Sequence, residues 1–235
     1  MPRFRLAIEI SNPSSGPRGL IHRCGRDILA GPGVAIARED DPDTTDTELL
    51  HDHGRHDDDL MPAIDRLCRR NGAVPSDLAA IAVSIGPGGY TSLRIAIATA
   101  KLLAEATGAV VVPVESWRIA AATAGAALPV LVCLASKNNS AWAALLPEEK
   151  ALGLITVDHI RGLRPRTLIA DRFLPEPMRI AAGEIGAAII EPAFSAAELL
   201  SISRSHAPLD VLKLAPLYPR EADAVTQWRR LHPPV

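Results

Sequence analysis

Four groups of residues in this chain have types and spacings that could do chemistry. The most informative is Ile81-Ala-Val-Ser-Ile-Gly-Pro-Gly-Gly-Tyr-Thr-Ser-Leu-Arg94, an apolar run broken by Gly86-Pro87-Gly88-Gly89. Glycine permits positive φ and close approach of a second backbone, while proline fixes a turn. Thr91 stands where a hydroxyl would cap a helix running to about Ala106. A helix N-terminus presents free N–H groups and the positive end of its dipole, so strand, turn and helix have the form of an anion cradle. The Walker lysine is missing, which excludes a P-loop. A plain strand-to-helix junction is the simpler account.

The second group is His51, His53 and His56 with Asp57, Asp58 and Asp59. Histidines that share a metal on one helix face stand four apart, and these stand two, three and five apart. Acidic residues at a helix start favour its dipole, so a solvated N-terminus is expected and no metal. The third is a basic stretch, Arg161, Arg164, Arg166 and Arg172 around Pro165. It could touch nucleic-acid phosphates, but a solvated loop accounts for it as well. Arg94, one turn into its helix, could anchor the glycine turn or meet a partner's carboxylate. The fourth group, Cys24, Cys68 and Cys133, is odd in number and lacks CxxC spacing. These read as reduced core residues of a cytoplasmic protein rather than disulfides or a zinc site.

The elements that must position these groups follow from the apolar pattern. Apolar residues make up 48% of the 235 and aromatics only 3%, so the core is aliphatic and base-stacking surface is scarce. A net charge of −2 argues against non-specific nucleic-acid binding by the whole surface. Residues 4–10 form a first strand; 19–23 and 34–38 are expected to follow as an antiparallel meander. Leu60, Ala63, Ile64 and Leu67 make a helical stripe, closed by Asn71-Gly72. The Ile81 strand, its helix, a strand at 110–114 and a helix at about 115–127 complete a βββαβαβα unit with a mixed sheet.

Beyond residue 129 the expected strands are 130–135, 140–145, 153–158 and 167–170, with residues 180–190 read as a strand and loop. A short helix at 195–205 opens with Ser195 and Glu198 as a capping box. The uncharged run 119–136 is split by Gly125 and Pro129 and is read as helix then strand, not as a membrane span. The helix from Leu93 to Ala106 carries only Arg94, Lys101 and Glu105 as charges. Its wide apolar circumference implies burial on more than one side, either within its own chain or against a partner.

Three blocks resemble the TsaB (YeaZ) family, in the family's order. They are His56-Asp-Asp-Asp-Leu60-Met-Pro62-Ala-Ile64, then Gly86-Pro87-Gly88-Gly-Tyr-Thr91-Ser-Leu-Arg94, then Pro216-Leu-Tyr218-Pro-Arg220-Glu-Ala222. The second is similar to the family's Gly-Pro-Gly-Ser-Phe-Thr-Gly-x-Arg signature, and the three together span most of the chain. Gly183-Glu184-Ile185-Gly186-Ala187 is similar to a weaker family element.

The resemblance implies an actin-like ATPase (ASKHA, RNase H-like) α/β fold with two βββαβα-type lobes, the second reduced. The division is expected at 1–115 and 116–235. It also implies a cytoplasmic, non-catalytic subunit of the tRNA threonylcarbamoyladenosine machinery that binds and supports a TsaD-like ligase. Its first two helices, about 48–71 and 91–106, would be the partner face. On that reading Leu60, Ile64, Leu67, Leu93, Ile97, Lys101 and Leu103 meet the paralogue, or a second copy in a homodimer. A TsaE-like ATPase is a further component that the resemblance admits, with tRNA touched only indirectly.

Some positions differ from the family pattern. Glu9-Ile10-Ser11 stands where relatives have Asp-Thr-Ser, and Ala135-Ser136-Lys137 where they have Asp-Ala-Arg. A nucleotide-hydrolysing enzyme of this fold needs carboxylates for Mg²⁺ and glycine loops around phosphate. Glu9 supplies a carboxylate, but Asn12-Pro13 and Ser136-Lys137-Asn138-Asn139 do not supply such loops. No catalytic residue, cofactor or metal is therefore assigned. The alternatives are a degenerate ATPase or kinase-like enzyme using Glu9 and the Gly86 turn, and an adaptor for another partner.

Overall fold

The structure is a computed structural model that describes residues 3–41, 43–51, 56–221 and 223–232. The chain opens with β1 (Phe4–Glu9), then a hairpin of β2 (Gly19–Arg23) and β3 (Arg26–Ala30), then β4 (Gly33–Arg38) and β5 (Asp46–Leu49). Helix α1 (His56–Arg70), β6 (Leu78–Ser84), α2 (Tyr90–Thr107), β7 (Val110–Val114) and α3 (Ser116–Ala124) follow. The second half holds β8 (Val130–Lys137), β9 (Ser140–Leu146), β10 (Lys150–Ile155), α4 (Val157–Leu163) and β11 (Thr167–Ala170). It closes with α5 (Glu176–Glu184), β12 (Ala188–Ile190), α6 (Ala196–Ser203) and α7 (Asp223–Leu231).

Two five-stranded sheets have the same plan. The first runs β5-β4-β1-β6-β7 and the second β10-β9-β8-β11-β12. In each, the central strand pairs antiparallel with one neighbour, which pairs antiparallel with the edge strand beyond it, and two parallel strands lie on the other side. These are the two βββαβα-type lobes expected. The second is reduced in the length of its outer helices: α4 has 7 residues where α1 has 15, and α5 has 9 where α2 has 18.

Alternation along the strands builds the layers. In β1, Phe4, Leu6 and Ile8 face one core while Ala7 faces another. The first core joins the sheet to α1 and α2, through Leu60, Ile64 and Leu67 of one helix and Ala96, Ile97 and Ala100 of the other. The second lies between the sheets and encloses α3 and α6, with Trp117, Ile119, Leu199 and Leu200 at its centre. A third core seats α4 and α5 on the far side of the second sheet, through Ile160, Met178 and Ala181. The order of layers is therefore helices, sheet, helices, sheet, helices.

Four expectations are corrected. Residues 19–23 are not in the main sheet but pair with β3 as a separate two-stranded hairpin, Gly19 opposite Ala30. The third antiparallel strand is β5, hidden in an acidic segment because every one of its residues is half-buried at the sheet edge. Residues 157–163 and 176–184 are helices rather than loop and strand. Ser195 is the N-cap residue of α6, but its hydroxyl is buried and makes no hydrogen bond, and Glu198 pairs instead with Arg26 at 2.6 Å.

Candidate functional site

The C-terminal ends of the parallel strands β1, β6, β8 and β11 meet at a crevice between the lobes, the place where open α/β sheets commonly hold ligands. Two adjoining cavities of about 380 and 580 Å³ share Gly88, Tyr90, Ala135 and Ser136. The loop after β1 contributes Asn12 to Ser15, the strand end of β11 contributes Asp171, and the segment before α7 contributes Tyr218 and Arg220.

The glycine turn is packed against its own chain. A Cβ on Gly88 would lie 2.2 Å from the Ser11 carbonyl oxygen, so only glycine lets the β1 loop pass. Gly86 has φ +107, and a Cβ there would meet the Leu217 carbonyl oxygen at 2.9 Å. The Gly89 amide donates to the Ser11 carbonyl (2.7 Å), and the Asn12 side-chain amide donates to the Pro87 carbonyl (3.1 Å). Ser116 N donates to the Gly86 carbonyl and Leu217 N to that of Ile85. The turn is thus a joint of three chain segments. Helix α2 begins at Tyr90 with Gly89 as N-cap and no side-chain cap bond. Thr91 accordingly sits exposed in the first turn rather than capping it.

Arg94 reaches neither the turn nor a carboxylate; its guanidinium lies 4.5 Å from the centre of the Tyr90 ring. Tyr90 in turn stacks on Tyr218, whose buried hydroxyl has no hydrogen-bond partner. Two residues on, Arg220 donates to the carbonyls of Ala135, Lys137 and Ser140 and to the Ser140 hydroxyl, which fixes the β8–β9 turn. These aromatic and guanidinium contacts explain the third sequence block in physical terms.

Glu9 is buried at the end of β1. Its Oε1 accepts from Ser11 N (2.8 Å) and from the Ser11 hydroxyl (2.6 Å), while Oε2 has no partner. Burial pushes its carboxyl above the ordinary carboxylate range, against the two Ser11 bonds that lower it. Asp171, also buried, accepts from the Ser15 hydroxyl (2.6 Å) and from Phe173 N (2.9 Å). It went unassigned in the sequence, although its place directly after an apolar strand was the signal for it. Among the described residues no group of three or more His, Cys, Asp or Glu is arranged to hold a metal ion. His51 pairs with Asp59 at 3.0 Å. His53 lies outside the described residues, as do the side chains of His56, Asp57 and Asp58.

The remaining candidates separate. Arg161 pairs with Glu184, and Arg172 lies over Phe173, so the basic stretch does not converge on one face. Cys133 is a buried core residue whose thiol is pushed up to about 12 by burial; Cys68 is half-buried with its thiol raised by the same cause, and Cys24 is exposed rather than in the core. Leu60, Ile64, Leu67, Leu93 and Ile97 are at most 5% exposed in the protein's own structure, because their stripes face the first sheet. The outward residues of the same two helices are different ones: Met61 is 50% exposed and Leu102 71%, with Lys101 and Leu103 half-buried beside them. Between the helices Met61, Ile64, Cys68, Val74 and Leu103 line an apolar groove of about 290 Å³.

Residues 52–149 match the family described as TsaD, tRNA N6-adenosine threonylcarbamoyltransferase. The fold is similar to that of an uncharacterized Pseudomonas aeruginosa protein with similarity to peptidase YeaZ. That likeness has a TM-score of 0.62 at 18% identity over 93% of this chain and 100% of that one. It is similar also to YeaZ from Pseudomonas aeruginosa, with a TM-score of 0.57 at 18% identity over 92% and 99%. The resemblance to the TsaB (YeaZ) family therefore holds, and the two-lobed α/β fold is that of these YeaZ structures, consistent with the actin-like fold expected. Among the described residues no helix is long and apolar enough to cross a membrane.

Proposed function

We propose that this chain is a member of the TsaB (YeaZ) family that serves as a non-catalytic subunit of the tRNA threonylcarbamoyladenosine machinery, docking a TsaD-like paralogue in the cytoplasm. The apolar groove between α1 and α2, lined by exposed Met61 and by Leu103, together with exposed Leu102 on the same helix, carries the reading. A surface of that kind on the outer helical layer needs a cover, and a helix pair of like shape supplies one. Of the partner face assigned from sequence, Lys101 and Leu103 are kept, and the exposed Met61 and Leu102 take the place of the buried Leu60, Leu67, Leu93 and Ile97.

The packing of the glycine turn supports the non-catalytic half of the proposal. The amide that a phosphate would use at Gly89 is already bound to Ser11, and Gly88 is covered by the same carbonyl. With the turn spent as a joint, the paralogue supplies the chemistry and this chain supplies the surface.

Size-exclusion chromatography with light scattering tests this, using the chain alone and mixed with the TsaD-like protein from the same source. A 1:1 complex that Leu102→Glu or Met61→Glu abolishes is the expected result. Both side chains are largely outside the core, so neither variant should unfold the chain. Absence of a complex at high concentration, or a complex indifferent to both substitutions, would reject the face.

A further inference from the structure

Strands β1 and β4 are antiparallel neighbours, which a turn of a few residues would connect. Instead Ile10–Pro32 lies between them and carries the β2–β3 hairpin. Its two ends are bonded to the first lobe, Ser11 and Asn12 to the glycine turn and Arg18 and Pro32 to Leu50, and its other contacts reach across to the second lobe.

Near its start, the Ser15 hydroxyl donates to Asp171 at the end of β11. Gly16, at φ +83, lies so close to Pro192 that a Cβ would be 2.2 Å from its carbonyl oxygen. At its far end, the Gly31 amide donates to the Phe194 carbonyl at 2.8 Å. The hairpin tip reaches the C-terminus of α3. Arg26 donates to the Ala122 carbonyl at 2.7 Å and pairs with Glu198 of α6 at 2.6 Å. The Cys24 thiol points at the Ala124 and Gly125 carbonyls, at 3.5 and 3.4 Å. A Cβ on Gly125 would fall 2.0 Å from that sulfur, so the seat exists only for glycine.

The last carbonyls of a helix have no partner within it, and a guanidinium beside them also meets the negative end of the dipole. Arg26 and Cys24 therefore cap α3, which packs against β8 and β11 of the second sheet, from a hairpin of the first lobe. Contacts at β11, at residues 192–194, at α3 and at α6 all come from one inserted segment of the first lobe. We infer that Ile10–Pro32 is an interlobe strap that holds the two sheets at one fixed separation. The crevice between the lobes then neither opens nor closes as the chain works. This inference stands apart from the partner proposal and does not use the α1–α2 face.

The test uses the full chain with spin labels carried on azide-bearing residues at Asp65 in α1 and Lys150 in β10, both exposed, leaving the native thiols alone. Pulsed dipolar spectroscopy reads the interlobe distance distribution. The strap is trimmed by replacing residues 20–29 with Asn-Gly, a turn that closes the Gly19–Ala30 pair. A narrow distribution in the parent chain and a roughly two-fold broader one in the trimmed chain are expected. A Ser15→Ala, Arg26→Ala double variant in the full-length chain should broaden it in the same sense, and serves if the trimmed chain does not fold. A parent distribution already broad, or variants as narrow as the parent, would overturn the strap.

Discussion

Tyr90 and Tyr218 stack with ring centroids 4.8 Å apart and planes inclined by 26°. Tyr90 opens α2 and Tyr218 lies more than a hundred residues later, so this pair ties the start of the helix to the segment that closes the crevice. Removing the ring in Tyr218→Ala forfeits the stack and a half-buried side chain, about 2 kcal/mol together. For a chain of this length that is a Tm roughly 4–8 °C lower. Tyr218→Phe should behave in the opposite sense, because it deletes a buried hydroxyl without a partner. It should raise stability by about 1 kcal/mol. Thermal denaturation of both variants checks the pair of signs.

Glu9 gives the chain a stability that weakens toward alkaline pH. Its carboxyl is raised from the ordinary 4.5 by burial, so the folded state holds the proton more tightly than the unfolded chain does. That contribution is full below the ordinary value and is lost as pH rises through the folded one. Glu9→Gln keeps a neutral group in the same place and should remove this part of the pH dependence. Urea midpoints measured between pH 4 and pH 8 should fall with pH in the parent and stay flatter in the variant.

The acid side is set on the other edge of the molecule. Arg70 bonds Asp46 at 2.7 Å and Glu48 at 2.9 Å, which pins β5 to the end of α1. The bond from Arg70 holds the Asp46 carboxyl below its ordinary 3.8, so this stability is present above that value and is lost as pH falls below it. Both side chains are partly exposed, and solvent screening limits the effect of Arg70→Met to under about 1 kcal/mol. Chemical denaturation at low and high ionic strength should find the difference between parent and variant shrinking with salt.

Two glycines should respond oppositely to alanine. Gly88→Ala places a methyl within 2.2 Å of the Ser11 carbonyl and forces the β1 loop away, at a cost of several kcal/mol. Gly183 sits inside α5 with open space around its missing side chain and without a positive φ. Gly183→Ala should therefore stabilise by about 0.5–1 kcal/mol. Differential scanning calorimetry of the two variants distinguishes a tight joint from a merely permissive turn.

Strongly periodic segments were readable from the sequence, and weakly periodic ones were not. β1, β6, β7 and β11 and helices α1 and α2 fall where their apolar spacing puts them. β5 is masked because Asp46-Thr-Glu-Leu49 is an edge strand whose charges are taken up by Arg66 and Arg70 of α1. α5 is masked by Gly183 and Gly186, which read as a turn although only the second has a positive φ. The crevice was half readable: Gly86, Gly88 and Tyr218 stand out by type, whereas Asp171 is placed only by the fold. The stripe of Leu60, Ile64 and Leu67 identified a buried face but not what buries it. Apolar periodicity reports the sheet beneath a helix and is silent about a partner above it.

The face that the first sheet turns toward α6 carries Ala7, Ala35, Ala37 and Ala82 across β4, β1 and β6, with Val114 on the edge strand, whereas its other face carries leucine, isoleucine and valine. The middle helices approach the sheet only as closely as those methyl groups allow. Added bulk there has no free surface to move into, since sheets and helices confine it from both sides. A scan of tolerated substitutions would then find its least forgiving positions among the smallest side chains of this protein.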